Sequence, residues 1–191
     1  MFSVNHLLSG LSEEKRNLLE HYLIYLNQNT TDKIEIVLKD IFENERDLEN
    51  LFLIVCEKNN LAIVQYLFET NCGVNQIDLD GRNGFIYACG RGNFEIVKFL
   101  FEKNCGIDQI EEHGYNGFIY ACAINNLEVV KFLFEKNCGI DQIDDERANG
   151  FIYACENGNL ELVKFLFEKI MELIKLIVVL LLLVKIIILN L

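Results

Sequence analysis

Apolar residues along the middle of this chain come in two alternating bursts, each at helical spacing. Within residues 84–90, Phe85, Ala88 and Cys89 share one face. Within residues 94–103, Ile96, Val97, Leu100 and Phe101 recur at three- and four-residue intervals, with Glu95, Lys98, Glu102 and Lys103 on the other side. The pattern predicts two short amphipathic helices. Asn83 stands where a side-chain oxygen can accept a first-turn N–H. Gly92 between the helices and Asn104 after the second tolerate the left-handed backbone that a stop and reversal require. The following segment, "CGIDQIEEHGY", is polar and short of helix signals, which predicts an extended loop.

The unit recurs. "NGFIYACGRGNFEIVKFLFEKNCGIDQI" begins at Asn83, "NGFIYACAINNLEVVKFLFEKNCGIDQI" at Asn116, "NGFIYACENGNLELVKFLFEK" at Asn149, and a looser "NLFLIVCEKNNLAIVQYLFETNCGVNQI" at Asn50, each 33 residues from the next. A fixed period of this length means stacked supersecondary units that bury their apolar faces on one another. Asn59, Asn125 and Gly158 repeat the role of Gly92, and Asn71 and Asn137 that of Asn104. The seven cysteines follow the same ruler: Cys56, Cys89, Cys122 and Cys155 form one series and Cys72, Cys105 and Cys138 another, with no CxxC pair. A cysteine at a repeated structural position reads as a small buried apolar residue rather than a metal ligand or redox centre.

These segments resemble the ankyrin repeat. Ala88-Cys89 stand at the family's Ala-Ala position, Gly92-Asn93 at its Gly-His turn, "FEIVKFLF" at its second-helix pattern, and Asn104-Cys105 at its Gly-Ala exit. The resemblance covers about residues 44–169. It implies an all-α ankyrin-repeat solenoid of helix-turn-helix units with finger loops, acting as a non-enzymatic protein-interaction module. The family's Thr-Pro-Leu-His signature is replaced by Asn83-Gly84-Phe85-Ile86. Capping survives through Asn, but the Thr and His hydrogen bonds that tie neighbouring repeats cannot form, which implies modest stability.

Composition narrows the partner. The chain has 191 residues, 51% of them hydrophobic, enough for one sizeable core. Its 29 acids against 17 Lys and Arg give a net charge of −12, which argues against nucleic acid and for a partner with a basic or mixed surface. The N-terminus, "MFSVNHLLSGLSEEKRNLLEHY", lacks a basic stretch followed by a long apolar core, so a reducing, cytoplasmic setting is expected. No catalytic or cofactor-binding constellation emerges: His6, His21 and His113 are far apart, and the pairs Glu111-Glu112 and Asp144-Asp145 read as solvated finger tips.

In ankyrin proteins contacts come mainly from finger tips and the exposed start of the inner-helix turn. The resemblance carries that role to Ile77, Leu79, Asp80, Arg82 and Arg91; to Ile110, Glu112, His113, Tyr115 and Ile124; and to Ile143, Asp145, Glu146, Ala148, Glu156 and Asn157. Asp78, Asp80, Glu111, Glu112, Asp144, Asp145 and Glu146 against Arg82 and Arg147 predict an acidic concave face, with Tyr115 as its aromatic anchor. The competing reading is a solvated face without a dedicated partner.

The ends differ from the middle. Residues 1–46 read as a helical N-terminal cap: Ser12 precedes a stripe of Leu18, Leu19, Tyr22, Leu23 and Leu26, and "DKIEIVLKDIF" resembles a degenerate second helix. Four repeats then occupy 47–79, 80–112, 113–145 and a truncated 146–169. Residues 170–191 form an apolar tail, and from 173 onward only Lys175, Lys185 and Asn190 are polar. The length suits a membrane anchor, but a lysine as deep as Lys185 costs about 2.5–3.5 kcal/mol on insertion scales, so that reading is not favoured. With suitable codons, a fifth copy starting Lys-Asn-Tyr-Gly-Ile-Asp-Gln-Ile and read after loss of one base yields residues 170–176. A repeat-like Phe-Ile-Ile-Ala-Cys-Lys-Asn-Asn-Asn in the shifted frame yields 180–188. The favoured expectation is therefore a frameshifted fifth repeat, ahead of an anchor or a selected cap helix. Its apolar residues would fold back over an exposed Leu162, Phe165 and Leu166 face or make the protein sticky.

Overall fold

A computed structural model describes residues 12–27 and 50–189. Its helices are α1 (Glu13–Asn27), α2 (Leu51–Glu57), α3 (Leu61–Glu69), α4 (Gly84–Arg91), α5 (Phe94–Glu102), α6 (Gly117–Ala123), α7 (Leu127–Glu135), α8 (Gly150–Glu156) and α9 (Leu160–Leu189). The even-numbered helices α2, α4, α6 and α8 stack on one another, and α3, α5, α7 and the start of α9 flank them in a second layer. Ser12 accepts a hydrogen bond from the Lys15 N–H at 3.2 Å, and Leu19 is buried where α1 meets α3. Residues 32–42, read as a degenerate helix, lie outside the described residues, as do the side chains of Tyr22, Leu23 and Leu26.

Asparagine and glycine set the helix ends. The side-chain oxygens of Asn83, Asn116 and Asn149 accept from the N–H three residues on, at 3.0, 2.9 and 3.1 Å. Asn59, Gly92, Asn125 and Gly158 take φ of 61°, 71°, 60° and 69° between the helices, and Asn71, Asn104 and Asn137 take 52°, 52° and 54° at the exits. Short fingers follow, with isolated antiparallel bridges Ile77–Asn83 and Ile143–Asn149 at the base of two of them.

Every residue from Gly84 to Gly90 is buried, because α4 is clasped by α2 on one side and α6 on the other. The close stacking depends on a glycine meeting a phenylalanine. A Cβ on Gly84 would lie 2.7 Å from the Phe52 ring, on Gly117 2.8 Å from Phe85, and on Gly150 2.7 Å from Phe118. Each Phe therefore fills the notch left by the next repeat's Gly, a packing that a larger residue would disrupt. Cys56, Cys89 and Cys122 are fully buried in this column, and burial pushes the Cys122 thiol up to about 12. Cys155, at the open end of the stack, is exposed, so the expectation of burial fails for that member of the series.

Side-chain amides tie the structure within and between repeats. The asparagines that cap the inner helices donate through Nδ2 to the segment after the second helix of the same repeat: Asn83 to the Gly106 carbonyl at 2.7 Å and Asn116 to that of Gly139 at 2.8 Å. Asn93 donates backwards to the carbonyls of Cys56 and Glu57, at 2.7 and 3.0 Å. Asn157 likewise donates to the Ala123 carbonyl at 2.9 Å, so asparagines at the turn supply hydrogen bonds between neighbouring repeats although the Thr and His are missing.

The tail continues the fourth repeat's second helix without a break. In earlier repeats the exit needs left-handed backbone at an Asn and, two residues later, at Gly73, Gly106 or Gly139. The corresponding positions hold Ile170 and Glu172, for which that conformation is unfavourable, and the helix runs on to Leu189. Residues 170–185 are exposed on all sides. The tail thus does not fold back over the expected face, of which Leu162 and Leu166 are already buried and Phe165 packs edge-on against Phe134. Among the described residues, no helix is long and apolar enough to cross a membrane.

Candidate protein-binding face

Each finger is closed by one carboxylate. Asp78 accepts from the N–H groups of Asp80 and Arg82 at 3.0 and 2.8 Å, Glu111 from those of His113 and Tyr115 at 2.9 and 3.0 Å, and Asp144 from those of Glu146 and Ala148 at 2.9 and 2.8 Å. All three acids are buried, at 7%, 4% and 5% exposure. Glu111 and Asp144 are therefore not the solvated finger tips that adjacent acids suggested. They are the residues that hold the tips in shape.

A tyrosine of the following helix completes two of these turns. Tyr87 donates its hydroxyl to Asp78 Oδ2 at 2.6 Å, and Tyr153 donates to Asp144 Oδ2 at 2.5 Å. Burial works against the charge on Asp78, but the hydrogen bonds from Tyr87, from the Arg82 N–H and from its guanidinium outweigh it and hold the carboxyl below the usual range. Desolvation of Asp144 is likewise outweighed by the Tyr153 hydroxyl and the backbone donors. Burial and the neighbouring carboxylates push both tyrosines well above their ordinary value.

The expected contact residues divide into two groups. Arg82 is buried in an ion pair with Asp78 at 2.8 Å and a second with Asp80, so it knits the first finger together. Arg91 donates to Glu57 Oε1 of the preceding repeat at 3.1 Å. Tyr115 is half-buried, edge-on to Tyr120 and Tyr153 at 5.4 and 5.5 Å, with its hydroxyl 2.7 Å from that of Tyr153. Glu112, His113, Asp145 and Glu146 are exposed, and Asp80 is partly so. His113 Nε2 lies 3.5 Å from Glu112 Oε1.

Stacked beside these tips runs a feature that charge alone hides. Ile77, Ile110 and Ile143 occupy the same position in three successive fingers and are 47%, 46% and 54% exposed, and Leu79 at the first tip is 92% exposed. All three stand among the expected contact positions, and all three face solvent. Main-chain bonds hold their spacing, from Glu112 N–H to the Asp80 carbonyl at 2.9 Å and from Asp145 N–H to that of His113 at 3.1 Å. Gln109 and Gln142 reinforce it by donating to the carbonyls of Gly81 and Gly114, at 2.8 and 2.9 Å.

The family model for ankyrin repeats (3 copies) matches residues 21–112, 51–144 and 103–175. The chain belongs to the ankyrin-repeat family. No curated protein matches it. Ankyrin repeats generally mediate protein–protein interaction, and members of the family are typically non-enzymatic scaffolds. In this ankyrin array hydrogen bonds join neighbouring fingers, and acids and isoleucines are among the side chains they expose.

Proposed function

We propose that the chain is a non-enzymatic ankyrin scaffold that binds a protein through its finger face, and that the partner presents an apolar ridge flanked by basic residues. The observation that carries this reading is the exposed Ile77–Ile110–Ile143 ladder beside Glu112, Asp145 and Glu146. An apolar centre with a charged rim is the anatomy of protein interfaces, in which the centre supplies affinity and the rim supplies association rate and salt dependence. Glu111, Asp144, Arg82 and Tyr115 support this surface by holding the turns.

The test is capture by immobilised full chain from the soluble proteins of the cell that makes it. One variant replaces Ile77, Ile110 and Ile143 with Ser; another replaces Glu112, Asp145 and Glu146 with Ser. The first should lose the captured protein, and the second should retain it only weakly and with a flatter response to salt. Undiminished capture by both would refute the finger face as the binding surface.

A further inference from the structure

Among the described residues, one groove stands open where its counterparts are filled by the chain itself. In the second and third repeats, the segment after the outer helix turns back through Asn-Cys-Gly-Ile and lies against the inner helix. There Asn83 and Asn116 donate to the carbonyls of Gly106 and Gly139, Cys138 is buried, and Ile107 and Ile140 pack on the core. The fourth repeat has the receiving side of this arrangement but not the segment. Asn149 caps α8 through its oxygen, and position 172, which would carry the accepting carbonyl, is inside α9. A cavity of about 650 Å³ remains, lined among others by Phe118, Phe134, Ile140, Asn149, Phe151 and Leu166.

We infer that this groove is a second binding site, which takes an extended Asn-Cys-Gly-Ile-like segment of another polypeptide, its glycine carbonyl accepting from Asn149 Nδ2. The filled grooves define the occupant's chemistry: a small apolar residue, then glycine, then a branched apolar residue. Glycine is required twice over. Gly139 has φ of 64°, and a Cβ there would lie 2.2 Å from Asn116 Nδ2, the counterpart of Asn149 Nδ2. Ile170 and Leu173 line one wall of the groove from α9, but Ile170 and Glu172 resist the left-handed turn that would fold residues 170–173 across it as 137–140 fold in the preceding repeat. The site is separate from the finger face and does not depend on it.

The experiment titrates the full chain into a fluorescently labelled peptide carrying residues 136–143, "KNCGIDQI", under reducing conditions, and reads anisotropy. Saturable binding is expected, with a peptide bearing Ala in place of Gly139 at least tenfold weaker. Asn149→Ser keeps a capping oxygen but lacks the amide donor; it should bind about fivefold more weakly with its urea midpoint little changed. Ile170→Asn combined with Glu172→Gly lets the chain fill its own groove and should abolish binding, whereas Ile110→Ser should leave it intact. Absence of saturable binding overturns the inference. So does equal affinity for the Gly and Ala peptides, which would mean adsorption to the apolar tail.

Discussion

The edge of the Phe85 ring occupies the space where Gly117 of the next repeat lacks a side chain: a Cβ there would stand 2.8 Å from Phe85 Cε1 and 2.8 Å from Cys89 Sγ. Gly117→Ala should therefore destabilise the array by about 1–3 kcal/mol, despite alanine's better helix propensity, because the methyl group must push apart a packed column. Urea unfolding measures the loss. Adding Phe85→Leu to Gly117→Ala should recover part of it, which an independent-site effect would not do.

The Asp78–Tyr87 pair, like Asp144–Tyr153, couples stability to pH at both ends of the range. Asp78 is depressed in the folded state, so its contribution is present above the unfolded carboxyl value near 4 and is lost as pH falls through the folded value. Tyr87 is raised, so its contribution is present below the unfolded phenol value near 10 and is lost as pH rises through its higher folded value. The urea midpoint should be flat between about pH 5 and 9 and decline on either side. Tyr87→Phe should cost about 1.5–3 kcal/mol at neutral pH and blunt both declines.

Asn83 does two separable jobs. Asn83→Ser preserves an acceptor for the Ile86 N–H but removes the donor to Gly106, and should cost about 1 kcal/mol. Asn83→Ala removes both and should cost about 2 kcal/mol. Hydrogen exchange distinguishes them: the Ser variant should loosen the finger at residues 105–109 while α4 keeps its protection.

How much of this was legible in the sequence depended on the residue. The period of 33, the caps at Asn83, Asn116 and Asn149, and the left-handed stops could be read directly, because each position has one backbone requirement that few residues meet. The burial of Glu111 and Asp144 was not legible. Two adjacent acids in a polar loop look solvated, and only the fold of the turn shows one of them facing inward to backbone donors two and four residues on while its neighbour faces out. A signal was present, since an acid recurs at 78, 111 and 144 directly after Gln-Ile, but its meaning required the geometry. Ile77, Ile110 and Ile143 stood among the expected contact positions, but their alignment into one exposed apolar ladder required the fold. Nor could the Phe–Gly notch be seen, because its partners lie 32 residues apart.

The exits offer a further check on why the tail is helical. Asn137→Ile with Gly139→Glu places the 170 and 172 residue types at the third exit, where the backbone has φ of 54° and 64°. The variant should be strongly destabilised, gaining helical circular dichroism per folded molecule while losing protection in the finger at 140–148. Unchanged protection there would show that something other than these two residues keeps α9 straight.

The central claim is that the finger ladder meets a protein. A photo-crosslinking amino acid placed at Ile110, in the middle of the ladder, and at Lys98, on the exposed side of α5, tests it in the cell that makes the chain. The account predicts a discrete adduct from position 110 that is absent from 98 and is abolished when Glu112, Asp145 and Glu146 are replaced by Ser. Adducts of equal yield from both positions, or none from 110, would contradict it.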